Sequence, residues 1–394
     1  MAESVIKSYF PSQVVSDAEK LSYDYGLKVA KAIETEWFYD DRRHTRYDAN
    51  FNNFHKLRLY ARGEQPIQKY KDELSINGDL SYLNLDWTPV PIIPKFVDIV
   101  VNGIADRAFD IKAYSQDPYG VAKRTEYMES VLGDMATKEM NDFAAQEFGI
   151  NLYQNDPEKL PETQEELELH MQLTYKQAVE IAEEQAINVL LEGNNYDLIK
   201  RQLYYDLTVL GIGAVKTNFT TSEGVTVEYV DPADLVYSYT ESPYFDDIYY
   251  VGEIKTIPIN ELAKQFPHLN QEDLEEIQQT GYSQKSNYHS SGPRYQDVDN
   301  NKVQVLYFNY KTYMNEVYKV KETGSGADKL IEKDDSFNPP ADVEGNFSKL
   351  ERAIETLYEG ALILGTNKLL KWEMSENMMR PKSNFTKVKM NYSI

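Results

Sequence analysis

At Gly211-Ile212-Gly213 the hydrophobic period of this chain changes, and that change constrains its fold more than any other feature. Upstream, Tyr196, Ile199, Leu203, Leu207 and Leu210 recur at helical spacing as one apolar stripe. Downstream, "GAVKTNF", "GVTVEYV" and "IYYVGEIKT" alternate apolar and polar residues, the period of strands. A helix followed by consecutive strands does not give the βαβ alternation of a parallel doubly wound sheet. The expected fold class is therefore α+β, with segregated helices and small sheets. The same order argues against a cofactor site at the two glycines. A dinucleotide fingerprint needs strand, glycine-rich turn, then helix, whereas glycine after a helix is a terminator.

Other segments extend this reading. Val14 to Trp37 places Val14, Ala18, Leu21, Tyr25, Val29, Ile33 and Trp37 on one helical stripe. "NFNNFHKLRLYARGEQP" reads as a helix stopped at Gly63 and Pro66. Prolines 89, 91 and 94 force an extended entry to the next helix, where Phe96, Ile99, Val100, Gly103 and Ile104 have the spacing of a buried face. Residues 121–148 and 162–192 are long, acidic and helical, separated by the loop "GINLYQNDPEKLP". "NELAKQFP" and "QEDLEEIQQ" read as short helices, and the polar stretch 281–301 as a linker. "KVQVLYFNYKTYMNEVYKV" is strand-like and is followed by a turn-rich excursion. "SKLERAIETLYEG" carries Ser348 and Glu351 in capping-box spacing with Gly360 in the stop position, so a helix is expected there. "ALILGTNKLLKW" reads as a hairpin turning at Gly365–Asn367, and the terminal "FTKVKMNYSI" as a strand.

Charge narrows the function classes. The net charge is −23, and residues 141–192 carry twelve acids against two bases, 222–280 thirteen against two. Such a body repels a DNA phosphate backbone over most of its surface. The segment 361–394 reverses sign, with six bases and two acids. The absence of cysteine excludes disulfides and thiolate metal sites and fits a cytosolic chain. No apolar run reaches the length of a membrane span, and "MAESVIKSYFPSQ" lacks the apolar core of a signal peptide. Tyrosine is abundant, 31 residues against 15 Phe, and pairs apolar area with a polar tip suited to protein–protein contacts.

Candidates for chemistry are few. His44, His55, His170, His268 and His289 are scattered without the i,i+4 pairing of a helical zinc site. "GTNK" at 365–368 lacks the strand–loop–helix setting of a phosphate loop. Asp246 or Asp247 followed by Glu253-Ile254-Lys255 matches the D…E-x-K pattern of metal-dependent nucleases. There the carboxylates would hold Mg²⁺ and the lysine would polarise the attacking water. The plainer reading is preferred, because short motifs recur by chance in an acid-rich chain. It is an amphipathic strand with Tyr250, Gly252, Ile254 and Thr256 on one face and Val251, Glu253 and Lys255 on the other. No catalytic residue, cofactor or metal is expected.

Several segments, in order, resemble the portal proteins of tailed double-stranded DNA bacteriophages. They are "RLYARGEQPIQKY", "PVPIIPKFVDIVVNGIADRAFDI", "DLTVLGIGAVKTNF" and, most characteristically, "VEYVDPADLVYSYTESPYFDDIYYVGEIKTIPINELAKQFP". The resemblance covers roughly 50–320, by pattern rather than identity. The Tyr- and Asn-rich composition is similar to that of phages of gut Bacteroidetes. The resemblance implies a portal-like, ring-forming fold: an N-terminal helical arm (1–87), a wing of helices plus β-sheet (88–257), a stem or linker (258–301) and an α+β clip (302–394). In the family a second stem helix and a crown follow the clip, and the chain stops before them. It further implies a homo-oligomeric ring of about twelve subunits at a capsid vertex. The ring would be a channel for DNA packaging and ejection. Implied partners are the major capsid protein, the terminase large subunit, a neck or tail adaptor, and double-stranded DNA passing without sequence preference. A membrane is not among them. The implied location is the virion, with the host cytoplasm during assembly. Lys368, Lys371, Arg380, Lys382, Lys387 and Lys389 would then contact DNA or a partner in the clip. A different virion ring or neck adaptor protein is the alternative, with the Mg²⁺ nuclease as the third reading.

Overall fold

In the computed structural model the described residues are 9–39, 45–64, 67–75, 86–88, 90–107, 111–114, 117–173, 178–220, 224–278, 301–322, 328–334, 337–338, 347–376, 378–381 and 384–394. They form a mixed α+β protein in two compact units, one from residues 1–105 and 198–394, the other from 106–197. The helices are α1 (Asp17–Lys20), α2 (Tyr23–Phe38), α3 (Arg46–Arg62), α4 (Ile67–Leu74), α5 (Ile93–Ala105), α6 (Pro118–Ala136), α7 (Lys138–Phe148), α8 (Gln164–Leu173), α9 (Ala178–Gly193), α10 (Tyr196–Val209) and α11 (Ile259–Gln265). The strands are β1 (Ala214–Thr220), β2 (Gly224–Val230), β3 (Leu235–Tyr237), β4 (Tyr250–Pro258), β5 (Lys302–Glu322), β6 (Asp328–Lys333), β7 (Phe347–Ile363), β8 (Leu369–Met374) and β9 (Tyr392–Ser393). Among the described residues, no helix is long and apolar enough to cross a membrane.

The large sheet runs β3-β4-β5-β7-β8, with β6 on β5, and the small sheet runs β2-β1-β9. All described ladders are antiparallel. β4 organises the unit because both of its faces are covered. Tyr250 and Ile254 face α2, joining Val29, Ile33 and Trp37, while Val251 joins Ala214, Val230 and Tyr392 of the small sheet. The alternation expected for β4 is present, yet Tyr250 through Ile254 are all buried. A third cluster places Leu262 and Phe266, from α11 and just beyond it, against Val303, Val305 and Ile363.

Two glycines let the central strand β5 carry an aromatic ring. Phe308 pairs with Gly252 on one side and Gly360 on the other. A Cβ on Gly360 would collide with the Phe308 ring, and one on Gly252 with the Tyr307 carbonyl. Gly360 is therefore a packing glycine and not a helix stop. The helix expected over "SKLERAIETLYEG" is absent, and these residues lie in β7, paired along their length with β5. The cross-strand partner overrides local helix propensity, as happens when a long pairing edge is available. The hairpin at Gly365 is as expected, with Gly365 left-handed at φ 75° and Thr366 N donating to Ile363 O at 3.1 Å.

Two more expectations change. Phe96, Ile99, Val100, Gly103 and Ile104 are exposed, and α5 buries Val97 and Val101 instead. On α10 the expected stripe is turned so that Asp206 is buried and Leu207 is 45 % exposed. The strands of 302–394 join elements from earlier in the chain, with β5 extending the sheet from β4 and β9 pairing with β1. The linker expected at 281–301 lies, except for Asn301, outside the described residues.

In the unit formed by 106–197, Val131, Leu167 and Met171 make a small core. Buried Asp134 on α6 accepts Asn155 N at 2.9 Å and Asn155 Nδ2 at 3.0 Å, tying the 149–161 loop to the helix.

Gly360→Ala is expected to lower unfolding free energy by about 2 kcal/mol or more, since the added methyl meets a buried ring with no free volume. Gly133→Ala, in the interior of α6 where a Cβ meets nothing within 4 Å, is expected to raise it by ~0.5 kcal/mol. Denaturant midpoints of the two variants check both signs.

Candidate functional site

The acids of the "VDPADLVYSYTESPYFDDIYYVGEIKT" stretch are distributed among separate structural tasks. Asp231 caps the short turn Pro232–Asp234 through Ala233 N at 2.9 Å, and its two oxygens take Arg58 Nη1 at 2.9 Å and Nη2 at 2.7 Å. Asp234 accepts the Tyr47 hydroxyl at 2.7 Å. α3 is thereby fastened at two points to the turn that follows β2. Asp247 accepts the Thr240 hydroxyl and Glu241 N, the latter at 2.9 Å. These bonds hold its carboxyl below the usual range. Asp246 is exposed.

Glu253 is different, being 3 % exposed between the two sheets. Its Oε1 accepts Lys216 Nζ at 2.8 Å and the Tyr392 hydroxyl at 3.2 Å, with Lys255 Nζ at 3.3 Å. Lys255 also reaches Glu228 at 3.0 Å. Burial alone would push Lys255 down and Glu228 up. At Lys255 the Glu253 charge, then the bond and charge of Glu228, outweigh burial and raise it; at Glu228 the bond and charge of Lys255 outweigh burial and lower it. Burial, then the Glu253 charge, holds the Tyr392 hydroxyl protonated far above its ordinary range. Each carboxylate of this cluster faces an ammonium, which is the arrangement of an inter-sheet clasp. Glu253 and Lys255 do share a face, but Asp247 is engaged with the Thr240–Glu241 turn. Among the described residues no group of three His, Asp or Glu side chains is placed to hold a metal ion.

The second candidate was not visible in the sequence reading. A cavity of about 590 Å³ opens between α3, α5, α10 and β2, with Arg58, Arg62, Arg201, Asp206, Tyr229 and Asp231 in its wall. Asp206 is 2 % exposed, accepts Arg58 Nη2 at 3.1 Å and takes the Tyr229 hydroxyl. Desolvation raises the Asp206 carboxyl above the usual range despite these bonds, because the group lies among packed side chains. Burial would lower Arg58, but Asp231 and Asp206 outweigh it and hold the guanidinium charged. Arg62 and Arg201 occupy exposed positions at the rim. Chemically the cavity has a fixed cation–carboxylate floor, with the Arg62 and Arg201 guanidinium groups in its wall. One signal was readable in advance. Asp206 sits three residues after Leu203, on the inward side of α10, and a lone inward acid requires a buried base.

The basic residues near the end of the chain are partly committed. Lys368 bridges to Asp273 at 3.0 Å, and to Glu276. Lys371 pairs with Glu359 at 2.9 Å. Arg380 donates to the carbonyls of Phe385 at 2.9 Å and Glu355 at 3.1 Å. Lys387 and Lys389 are exposed, and Lys382 lies outside the described residues. Comparison of the chain with models of known protein families and with curated protein sequences returns no match in either.

Replacing Arg58 by Met removes the cation from buried Asp206 and is expected to cost roughly 3–5 kcal/mol at neutral pH. The folded state of that variant binds the Asp206 proton more tightly than the unfolded chain. Its deficit relative to wild type should therefore shrink as pH falls from about 7 to about 4.5, which melting curves across that range measure. For the clasp, Glu253→Ala should cost about 3 kcal/mol by leaving the half-buried Lys216 without its acceptor. The double variant Lys216→Met/Glu253→Leu should be less damaging than Glu253→Ala in the same denaturation experiment.

Proposed function

We propose that this chain is a portal-type subunit, which assembles into a ring at a capsid vertex and gives double-stranded DNA its passage during packaging and ejection. The observation that carries the reading is the Arg58–Asp231 clasp. Arg58 belongs to "RLYARGEQP" and Asp231 to "VDP", two of the segments in which the sequence resembles portal proteins, and the fold joins them through a bidentate pair. "GIGAVKTNF" continues as β1, paired with the "VEYV" strand β2, and "YYVGEIKT" forms β4 in the same unit. The resembling segments thus form one interlocked framework, and four of the eight acids in its most characteristic stretch, Glu228, Asp231, Asp234 and Glu253, bond across its elements.

In this reading residues 88–257 are the wing, 258–301 the stem or linker and 302–394 the clip, with β5 pairing with β4 of the wing. The capsid protein, the terminase large subunit and a neck or tail adaptor are the partners of the assembled ring, and the virion is its location. A largely acidic wall keeps phosphate from adhering as DNA moves. Exposed Lys387 and Lys389 remain as cations for DNA or an acidic partner.

Negative-stain microscopy and native mass spectrometry of the purified chain test this reading. Closed rings with a central hole and about twelve subunits are expected. A monomer at micromolar concentration would overturn it, and a six-fold ring would favour a neck adaptor. Mg²⁺-dependent DNA cleavage lost in Glu253→Gln, with the fold intact by circular dichroism, would replace it with the nuclease.

A further inference from the structure

Past Tyr310 and Tyr358, where pairing with β4 and β8 ends, β5 and β7 continue as a ribbon with β6 on the other edge of β5. The ribbon's ladders carry no register shift, so residues directly opposite share a face and successive residues alternate between faces. One face gathers Lys319, Lys321, Lys329, Lys333 and Lys349. Lys349 and Ile331 flank Lys319, Lys329 stands opposite Lys321, and Lys333 opposite Val317. Among the described side chains Glu351 is the one acid on this stretch of the face, and it pairs with Lys349. The other face takes Glu316, Asp328 and Glu332 with Tyr318, Leu330 and Leu350, and Arg352 there bonds Glu316 at 2.9 Å. Neighbouring strands lie ~4.8 Å apart and alternate residues roughly 7 Å apart, so the five lysines are rooted in a patch of about 10 by 14 Å. Lys321, Lys329 and Lys333 are exposed, and Lys319 and Lys349 half-buried.

We propose that this lysine face holds the phosphate backbone of double-stranded DNA without reading its sequence. A chain of net charge −23 repels a polyanion over most of its surface, so a local surplus of cations decides where one can approach. Lysine presents a compact point charge on a flexible stem, which suits phosphate oxygens repeated along a duplex. Such holding depends on the summed charge of the face and does not require any single lysine to be unpaired. A protein surface is the poorer fit, because protein interfaces are built on apolar and aromatic anchors and are depleted in lysine. The apolar side chains between these lysines are Val317, which is buried, and Ile331, which is half-buried. The Phe337 ring, 6.0 Å from Lys333 Nζ, is half-buried too. Only in taking DNA as the polyanion does the proposal rest on the portal reading.

The test uses the full chain and a fluorescently labelled DNA duplex of arbitrary sequence. Anisotropy is expected to show binding at ~50 mM salt that weakens about 100-fold by ~200 mM, the dependence of roughly four phosphate contacts. Lys329→Glu/Lys333→Glu is expected to weaken binding about tenfold or more and to flatten the salt slope by ~2. Lys28→Glu/Lys264→Glu makes the same change of net charge at exposed positions elsewhere and is expected to stay within about twofold of wild type. An equal loss in that second pair would trace binding to net charge and overturn the proposal. In wild type, amine acetylation read by mass spectrometry is expected to show Lys329 and Lys333 protected by DNA, and this arm holds even where a variant does not fold. DNA that does not bind at ~50 mM salt, or that binds and leaves those lysines reactive, overturns the proposal. Protection by polyglutamate and not by DNA overturns it as well and makes the occupant an acidic protein. The ring reading falls separately. A monomeric wild type whose ribbon lysines DNA protects sinks the ring alone, and a closed ring whose DNA binding ignores Lys329 and Lys333 sinks the lysine face alone.

Discussion

The pairing of buried Glu253 with half-buried Lys216 is the constraint on which the main unit depends. An ion pair removed from water is tolerable only when its geometry is good and its remaining hydrogen-bonding capacity is used. Lys216 stands on β1 and Glu253 on β4, so the pair requires the small sheet to lie on the large one in one position. Tyr392 brings β9 into the same contact by donating to the Glu253 oxygen that Lys216 occupies. A slip of β4 by one residue would turn Glu253 toward α2 and place Ile254 among the charges. The polar pair thus selects the register, and the apolar clusters on the two faces of β4 supply most of the burial energy.

On the other face the tyrosines have a related role. Tyr250, Tyr310 and Tyr358 are fully buried beneath α1 and α2 and so are unavailable for intermolecular contact. The Tyr250 hydroxyl accepts Trp37 Nε1 at 3.1 Å and donates to Glu36 at 2.6 Å, and Arg46 pairs with Glu36 at 2.6 Å while lying over the Trp37 ring. Burial keeps these phenols protonated, with Tyr358 pushed up to about 12. Tyr250 and Tyr310 combine aromatic area with directed hydrogen bonds, which favours one packing over near alternatives. Tyr358 contributes its ring, stacked on Trp372 at 4.9 Å. The high tyrosine count therefore reflects the interior as well as the surface.

What was legible in the sequence was what local periodicity encodes. The period change at Gly211–Gly213, the alternation of β4 and the glycine turn at Gly365 each depend on residues within one short window. β7 was misread because Ser348, Glu351 and Gly360 satisfy the rules of a helix, while the feature that overrides them is β5, distant in sequence. Gly360 in particular has the spacing of a terminator but exists to admit Phe308. Arg58 was missed for the same reason, since its partner Asp206 lies 148 positions away and leaves no mark around Arg58; Asp206 itself left only its place three residues after Leu203. The apolar spacing of α5 predicts a buried face at Phe96, Ile99, Val100, Gly103 and Ile104, whereas the fold buries Val97 and Val101 and leaves those five exposed. A helix that is apolar nearly all round does not mark by spacing which of its residues the rest of the fold covers.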